Sequence, residues 1–327
     1  MMAEKMKLMA CRALVPILRR VHPYRFFSAN LPFTTACNAA CRMCPKSHHE
    51  RRPALSLDEK TLEAALSQFK RMGFRDINIF NMTEPLMHPR FNEFVDKIVG
   101  RGFRVNFSSN GGMLKDGHYS SLAKAHGIGF SIEGYDDKTV RYYRGVSFTA
   151  LREGIAGFRE ITRPKELVLR TIVYRDMGED YIRRFIDVWG PLFDEIVWGV
   201  AYPPELVCGN KTGAQRSKDR EYFTFVRDKG QRCASGKLGV VILPDGEVIP
   251  CCYDYSMLRS FGNIHETPFR EILRSKALAE FVRKARTNID NICGDCAAYF
   301  KISEEDGRVY ERRVKFARQY FNDLRQS

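Results

Sequence analysis

The chain has 327 residues, 44% of them hydrophobic and 28% charged, and a formal net charge of +14. That composition belongs to a globular protein with one large domain or two ordinary ones, and it excludes a disordered or fibrous chain. No apolar run approaches the roughly 18 residues that a membrane-spanning helix needs. The positive charge suits a surface that attracts nucleotides, phosphorylated substrates, nucleic acid or anionic lipid, or one that simply stays soluble. No helix-turn-helix or RNA-binding signature accompanies it, so nucleic acid is not the expected partner.

In chain order, residues 6–21 set Met6, Met9, Ala10, Ala13, Leu14, Ile17, Leu18 and Val21 at helical spacing, with Lys5, Arg12, Arg19 and Arg20 elsewhere. This basic amphipathic segment (1–27) is expected to pack on its own domain rather than on a membrane, kinked at Pro16. Its charges and Pro16 interrupt the apolar stretch that a signal peptide requires, which places the chain in the cytosol. From residue 28 to 200 six strand candidates follow: LPFTT, DINIFN, FRVNFSS, IGFSIEG, ELVLRTIVY and EIVWGVA. Five helical patterns separate them, from LDEKTLEAALSQFKRMGF to EDYIRRFIDVWGPLF. This is the rhythm of βα units on a parallel sheet, curling into an incomplete barrel or winding an open sheet. Either arrangement puts ligands at the carboxyl ends of the strands.

Residues 201–232 break the rhythm and read as a linker that can face substrate. In GVVILPDGEVIPCC, two β runs flank Pro244-Asp245-Gly246, a hairpin signal. TPFREILRSKALAEFVRKAR reads as one helix. The closing segment (301–327) aligns Tyr310, Val314, Ala317, Phe321 and Leu324 on one helical face, a core-packing pattern.

Ten cysteines are too few and too clustered for a disulfide scaffold, and seven fall in two groups. Cys37, Cys41 and Cys44 form CxxxCxxC directly after the first predicted strand. Three thiolates on one loop suit a 4Fe–4S cluster with one iron left open, since catalytic metal sites keep a free position. A zinc site borrowing His48 or His49 is the alternative, although zinc loops more often pair CxxC units. Cys233, Cys251, Cys293 and Cys296 form the second group, and four thiolates close a cluster completely. A zinc ribbon is the alternative there. Cys252 follows Cys251 on the predicted strand, where adjacent side chains point to opposite faces, so the two are not expected to ligate one cluster. Cys252 reads first as a small buried residue, and second as a thiol able to donate hydrogen to a substrate radical.

The pattern resembles the radical S-adenosylmethionine (radical SAM) superfamily. Asn81 to Pro85 (NMTEP) end the second strand where that family carries GGEP; Glu84 and Pro85 match, while Met82 and Thr83 replace both glycines. SSNGG, with Asn110, resembles the third-strand SNG element, and SIEGYDDKTVRYYRG resembles the fourth-strand stretch in which Ser131 and Glu133 lie near the ribose. Met43 stands where an aromatic residue usually precedes the last cysteine, and a thioether can cover an adenine face. The resemblance implies a partial (β/α)6 TIM-like barrel over 28–200 and a small α+β "twitch" domain, a shortened SPASM domain, over 233–300. It implies a 4Fe–4S cluster on Cys37, Cys41 and Cys44, SAM completing the open iron, and a second cluster on Cys233, Cys251, Cys293 and Cys296. Glu84 would then meet the SAM amino group, and cleavage of the sulfonium by one electron would yield a hydrogen-abstracting radical.

Twitch-bearing members act on small polar substrates. Peptide-modifying members often carry a leader-binding domain of roughly 80 residues, whereas 36 residues precede Cys37. The expected activity is therefore oxidation of a small polar molecule such as a sugar, cyclitol or nucleotide-linked compound. The second electron would go to the auxiliary cluster, and a flavodoxin or ferredoxin would serve as donor. An epimerase or a peptide-modifying maturase is the alternative among enzymes. A non-catalytic Fe–S or zinc protein that binds nucleic acid fits the charge but does not need the SAM-like motifs.

Overall fold

The computed structural model describes residues 28–44, 46, 54–80, 83–161, 166–202, 221–227, 239–252, 254, 257, 259–287 and 300–326. The expected N-terminal helix, His48, His49 and three auxiliary cysteines (Cys233, Cys293 and Cys296) lie outside them.

Strand β1 (Ser28–Asn30) comes earlier than the LPFTT expected from sequence. Pro32 has no N–H to give a ladder, so regular pairing stops before it. Leu31 N still donates to Asn78 O at 2.9 Å. The units that follow match the expected rhythm: α1 (Glu59–Met72), β2 (Asp76–Asn78), α2 (Phe91–Gly100), β3 (Arg104–Ser109), α3 (Asp116–Leu122) and β4 (Gly127–Ser131). Next come α4 (Asp137–Arg144), absent from the sequence reading, α5 (Phe148–Ile161), β5 (Leu167–Val173), α6 (Glu179–Trp189) and β6 (Glu195–Val200). Strands β1 to β6 are parallel neighbours in sequence order, which is the partial barrel expected of six βα units.

Alternation along the strands fixes two faces. Ala29, Ile77, Val105, Phe107, Phe130, Leu169 and Ile196 are buried in one core with the helices. Intervening residues face the other way, and there Asn30, Asn78 and Asn106 sit in register on adjacent strands. Asn106 Nδ2 donates to Asn78 Oδ1 (3.0 Å), Asn78 Nδ2 to Asn30 Oδ1 (2.8 Å) and Asn30 Nδ2 to Val240 O (3.0 Å). The inner face of the first three strands is therefore polar and tied to the C-terminal segment.

That segment begins with the expected hairpin, β7 (Phe225–Arg227) aside. Strands β8 (Val241–Ile242) and β9 (Val248–Ile249) are antiparallel, and β8 continues the barrel sheet by pairing in parallel with β1. Gly246 turns the hairpin at φ 88°, where a Cβ would stand 2.6 Å from Asn263 Oδ1. The helix expected over TPFREILRSKALAEFVRKAR is two, α7 (Phe269–Ile272) and α8 (Lys276–Thr287). Ser275 separates them, its Oγ accepting from Leu278 N at 3.2 Å as an N-cap does. β7, inside the stretch read as linker, pairs antiparallel with β10 (Phe300–Ile302). The closing helix α9 (Glu304–Gln326) buries Val314, Ala317 and Phe321 as its pattern predicts, and Tyr310 donates to Trp198 O at 3.1 Å. No described helix is long and apolar enough to cross a membrane.

Candidate active site

Cys37, Cys41 and Cys44 lie on the loop that leaves the carboxyl end of β1, and none is in a disulfide. The loop is docked on the end of α4: Ala40 N donates to Arg144 O (3.0 Å) and Arg42 N to Tyr143 O (3.1 Å). Gly145 makes that docking possible. It caps α4 at φ 69°, and a Cβ there would stand 3.0 Å from Ala40 Cβ and 3.1 Å from Ala40 N. The R-G pair of the fourth-strand motif thus has a steric reason in this chain. From the other side, Arg42 pairs with Glu221 at 2.7 Å, and Tyr222 donates to Arg42 O at 3.3 Å.

Burial raises the Cys37 thiol to about 11 and also raises Cys44, and the proximity of Cys41 adds to the rise in each case. Cys37 and Cys44, which resist ionisation alone, become thiolates readily when a cationic metal group compensates them, so with Cys41 beside them the donor set fits an iron–sulfur cluster. Among the described residues, no three His, Cys, Asp or Glu side chains are arranged around a single ion.

Glu84 is fully buried. Its Oε1 accepts from Leu86 N (3.1 Å) and Ser109 Oγ (2.8 Å), and its Oε2 from Asn110 N (2.8 Å). Its own N donates to Ala36 O at 2.9 Å, so the GGEP-like turn is bonded to the strand end that leads into the cysteine loop. Burial pushes the Glu84 carboxyl up to about 7. Pro85 opens the short 3-10 turn that Glu84 caps. Asn110 Nδ2 donates to Asn38 Oδ1 (2.9 Å) and lies 3.8 Å from Cys37 Sγ, while its Oδ1 accepts from Gly112 N. Glu133 is fully buried as well: Oε1 accepts from Ile172 N at 3.0 Å and Oε2 pairs with Arg144 Nε. Ser131 ends β4 half-buried, and Met43 packs against a buried cluster that contains Tyr143, Tyr174 and Tyr222. The protein itself occupies the oxygens of both glutamates that the motifs single out.

Sequence reasoning assigned no role to Arg144. Its guanidinium is buried, bonds Glu133 and reaches Cys41 Sγ at 3.5 Å. The signal was there: an arginine before the αL glycine of a motif already identified.

Cys251 and Cys252 correct one expectation. Pro250 ends the ladder and both cysteines lie beyond β9, so strand alternation does not separate them. The Cys251 thiol hydrogen-bonds to Cys252 and lowers its pKa. Cys252 also lines a narrow cleft of about 30 Å³ between barrel and hairpin, with Pro32, Thr35, Lys46 and Thr83 on one side and Val241, Leu243, Ile249, Asp254 and Met257 on the other. Asp254 is buried, and the Thr83 hydroxyl is buried with no hydrogen-bond partner.

Comparison with known proteins agrees with this geometry. Residues 31–188 match the radical SAM superfamily, and residues 233–297 match the SPASM iron–sulfur cluster-binding domain. The chain is 23% identical over 298 residues to the mycofactocin maturase MftC of Mycobacterium tuberculosis, spanning 81% of this chain and 74% of that one. Among curated relatives the matched stretch covers from 26% to 74% of the relative's own length. In fold it is similar to BtrN in complex with AdoMet and 2-DOIA (TM-score 0.54, 16% identity, 83% of this chain, 93% of that one). It is also similar to Streptococcus suis SuiB bound to the precursor peptide SuiA (TM-score 0.61, 16% identity, 89% and 76%). The two domain matches imply a 4Fe–4S cluster with SAM in the core and auxiliary iron–sulfur binding after it. The chain belongs to the radical SAM superfamily and carries an iron–sulfur cluster-binding domain of the SPASM type.

Proposed function

We propose that this radical SAM enzyme is an oxidoreductase acting on a small polar molecule (a sugar, a cyclitol or a nucleotide-linked compound). One observation carries the reading: the cleft between cysteine loop and hairpin is lined from both sides, with Lys46 two residues after Cys44 and Cys252 beside Cys251. A substrate in that cleft would lie between the two cluster sites. When bound, the cofactors supply hydrogen abstraction through SAM and an acceptor for the second electron at the auxiliary cluster.

Cys37, Cys41 and Cys44 would hold the first cluster; Cys233, Cys251, Cys293 and Cys296 would hold the second. In the SAM site, Glu84 acts through the turn it braces, since its oxygens already accept from Leu86, Ser109 and Asn110. Pro85 and Asn110 fix the same turn, Ser131 offers a hydroxyl at the end of β4, and Glu133 orients Arg144. Met43 and the tyrosines packed behind it keep water from the loop. Lys46, the unpartnered Thr83 hydroxyl and the asparagine ladder favour a polar substrate. Flavodoxin or ferredoxin would deliver the reducing electrons.

A second reading, peptide modification, draws on the apolar lining by Pro32, Val241, Leu243, Ile249 and Met257, and on the likeness to a peptide-bound fold neighbour. Anaerobic incubation with SAM, reductant and a panel of sugars, cyclitols, nucleotide sugars and peptides tests both. The proposal expects a polar product lacking two hydrogens, formed one for one with deoxyadenosine. Turnover confined to peptides would overturn it.

A further inference from the structure

We propose that Arg144 is a positioning residue that raises the reduction potential of the cluster on Cys37, Cys41 and Cys44. The inference rests on the assignment of that cluster and not on the identity of the substrate. Arg144 touches the cysteine loop through both its backbone and its side chain, and the Cys41 thiol itself donates to Arg144 O at 3.9 Å. The same carbonyl accepts from Ala40 N at 3.0 Å, which seats the loop, and Arg144 Nη1 lies 3.5 Å from Cys41 Sγ, within hydrogen-bonding reach of sulfur. The side chain is only 10% exposed, and the Glu133 side chain that holds its Nε is 0% exposed. Glu133 is fixed in turn by Ile172 N at 3.0 Å. The guanidinium is therefore held by Glu133, which lies just past the end of β4 and is itself fixed by β5.

Reduction adds one electron to a cluster whose thiolate ligands already carry negative charge. Hydrogen bonds to ligand sulfur and nearby positive charge favour the reduced form, and solvent exposure modulates both. Around Arg144 the two charges of the ion pair oppose one another, so their order in space decides the sign. The guanidinium lies next to Cys41 Sγ, and Glu133 bonds the far side of that guanidinium through Nε. The cation and its N–H are nearer the sulfur than the carboxylate is, and burial keeps water from screening the difference. Arginine suits the task because one planar group serves an acid and a sulfur at once. A lysine ammonium keeps the charge but lacks the fixed fork.

The test is an anaerobic redox titration of the reconstituted full-length protein without substrate, followed by electron paramagnetic resonance. The signal to follow is the one whose spectrum changes on adding SAM in a parallel sample. In Arg144→Gln, the reduced-to-oxidised ratio at a given potential is expected to fall about tenfold, which for one electron is a shift of about 59 mV to lower potential. Arg144→Lys should recover part of the shift. Glu133→Gln with Arg144→Gln, which leaves no lone buried charge, should fall less than Arg144→Gln alone. A potential unchanged in Arg144→Gln overturns the proposal. Should that variant fail to hold iron, a potential unchanged in both Arg144→Lys and the double variant overturns it equally. Because no substrate is present, the result is independent of whether the enzyme oxidises a small molecule or a peptide.

Discussion

Glu84→Gln separates two properties of the GGEP-like turn. In the folded chain, burial raises the Glu84 carboxyl from 4.5 to about 7, even though Asn110 N, Ser109 Oγ and Leu86 N donate to it. The folded state thus holds a proton that the unfolded state has released, so stability falls as pH rises from about 4.5 to about 7 and is level above that. The full span corresponds to about 3 kcal/mol, and between about pH 5 and pH 8 the wild type should lose roughly 2.5 kcal/mol through this group alone. Glutamine does not titrate, so that part of the pH dependence disappears. Its amide instead sets an N–H against a donor now facing a carboxylate oxygen, at a cost of about 1–3 kcal/mol at every pH. Anaerobic urea unfolding without SAM, followed by tryptophan fluorescence, measures both terms, since Trp189 is fully buried. The variant should be the less stable protein at about pH 5 and should close on the wild type by roughly 2.5 kcal/mol by about pH 8. Parallel curves for the two proteins would refute the reasoning.

Reconstituted protein should contain about eight iron and eight sulfide per chain, and four iron with one zinc would contradict the second cluster. Replacing Cys37, Cys41 and Cys44 together by Ala should abolish deoxyadenosine formation and remove about half of the iron; cleavage at the wild-type rate would exclude them as ligands. Gly134→Ala should destabilise by roughly 2–3 kcal/mol in urea, because it meets φ 96° and a Cβ would stand 2.5 Å from Val140 N; a loss under about 0.5 kcal/mol would contradict this. Cys252→Ala should leave an oxidised product unchanged in kind. A mass-neutral product that takes deuterium from heavy water in the wild type and loses it in the variant would establish epimerisation instead.

What the sequence made legible follows from which forces are local. The six βα units were readable because each strand buries one face and each helix carries an apolar stripe, and the periods of two and of 3.6 survive in the residue order. β1 escaped because Ser28-Ala29-Asn30 has a single core-facing apolar residue, and its strand character comes from β2 and β8 on either side. α4 escaped because its surface is nearly all polar, with Val140, Tyr143 and Arg144 its buried residues. Its capping box, Asp136 with Thr139, and Gly145 after its last residue were visible signals at both ends. The cysteine loop was readable from spacing alone. Its attachment to Arg144 and Gly145 was not, since it joins residues about a hundred positions apart. The supposed separation of Cys251 from Cys252 failed for a local reason, the stop imposed by Pro250.

The departure from GGEP bears on how this site differs from the family pattern. Glycines at such a turn let backbone approach a ligand closely. Here Thr83 brings a Cβ and a hydroxyl, and the hydroxyl is buried without a partner on a wall shared with Thr35 and Lys46. The turn does not need glycine to hold its path, because Glu84 N bonds Ala36 O and the Glu84 carboxylate bonds three donors, two of them backbone N–H groups. What glycine would contribute is room, and threonine exchanges part of it for a buried hydroxyl. An unpaired buried hydroxyl costs about 1–3 kcal/mol. On the opposite wall Val241, Leu243 and Ile249 make no such demand. The cleft is therefore polar on the barrel side, where the cysteine loop lies, and mostly apolar on the hairpin side, with the buried Asp254 as the exception.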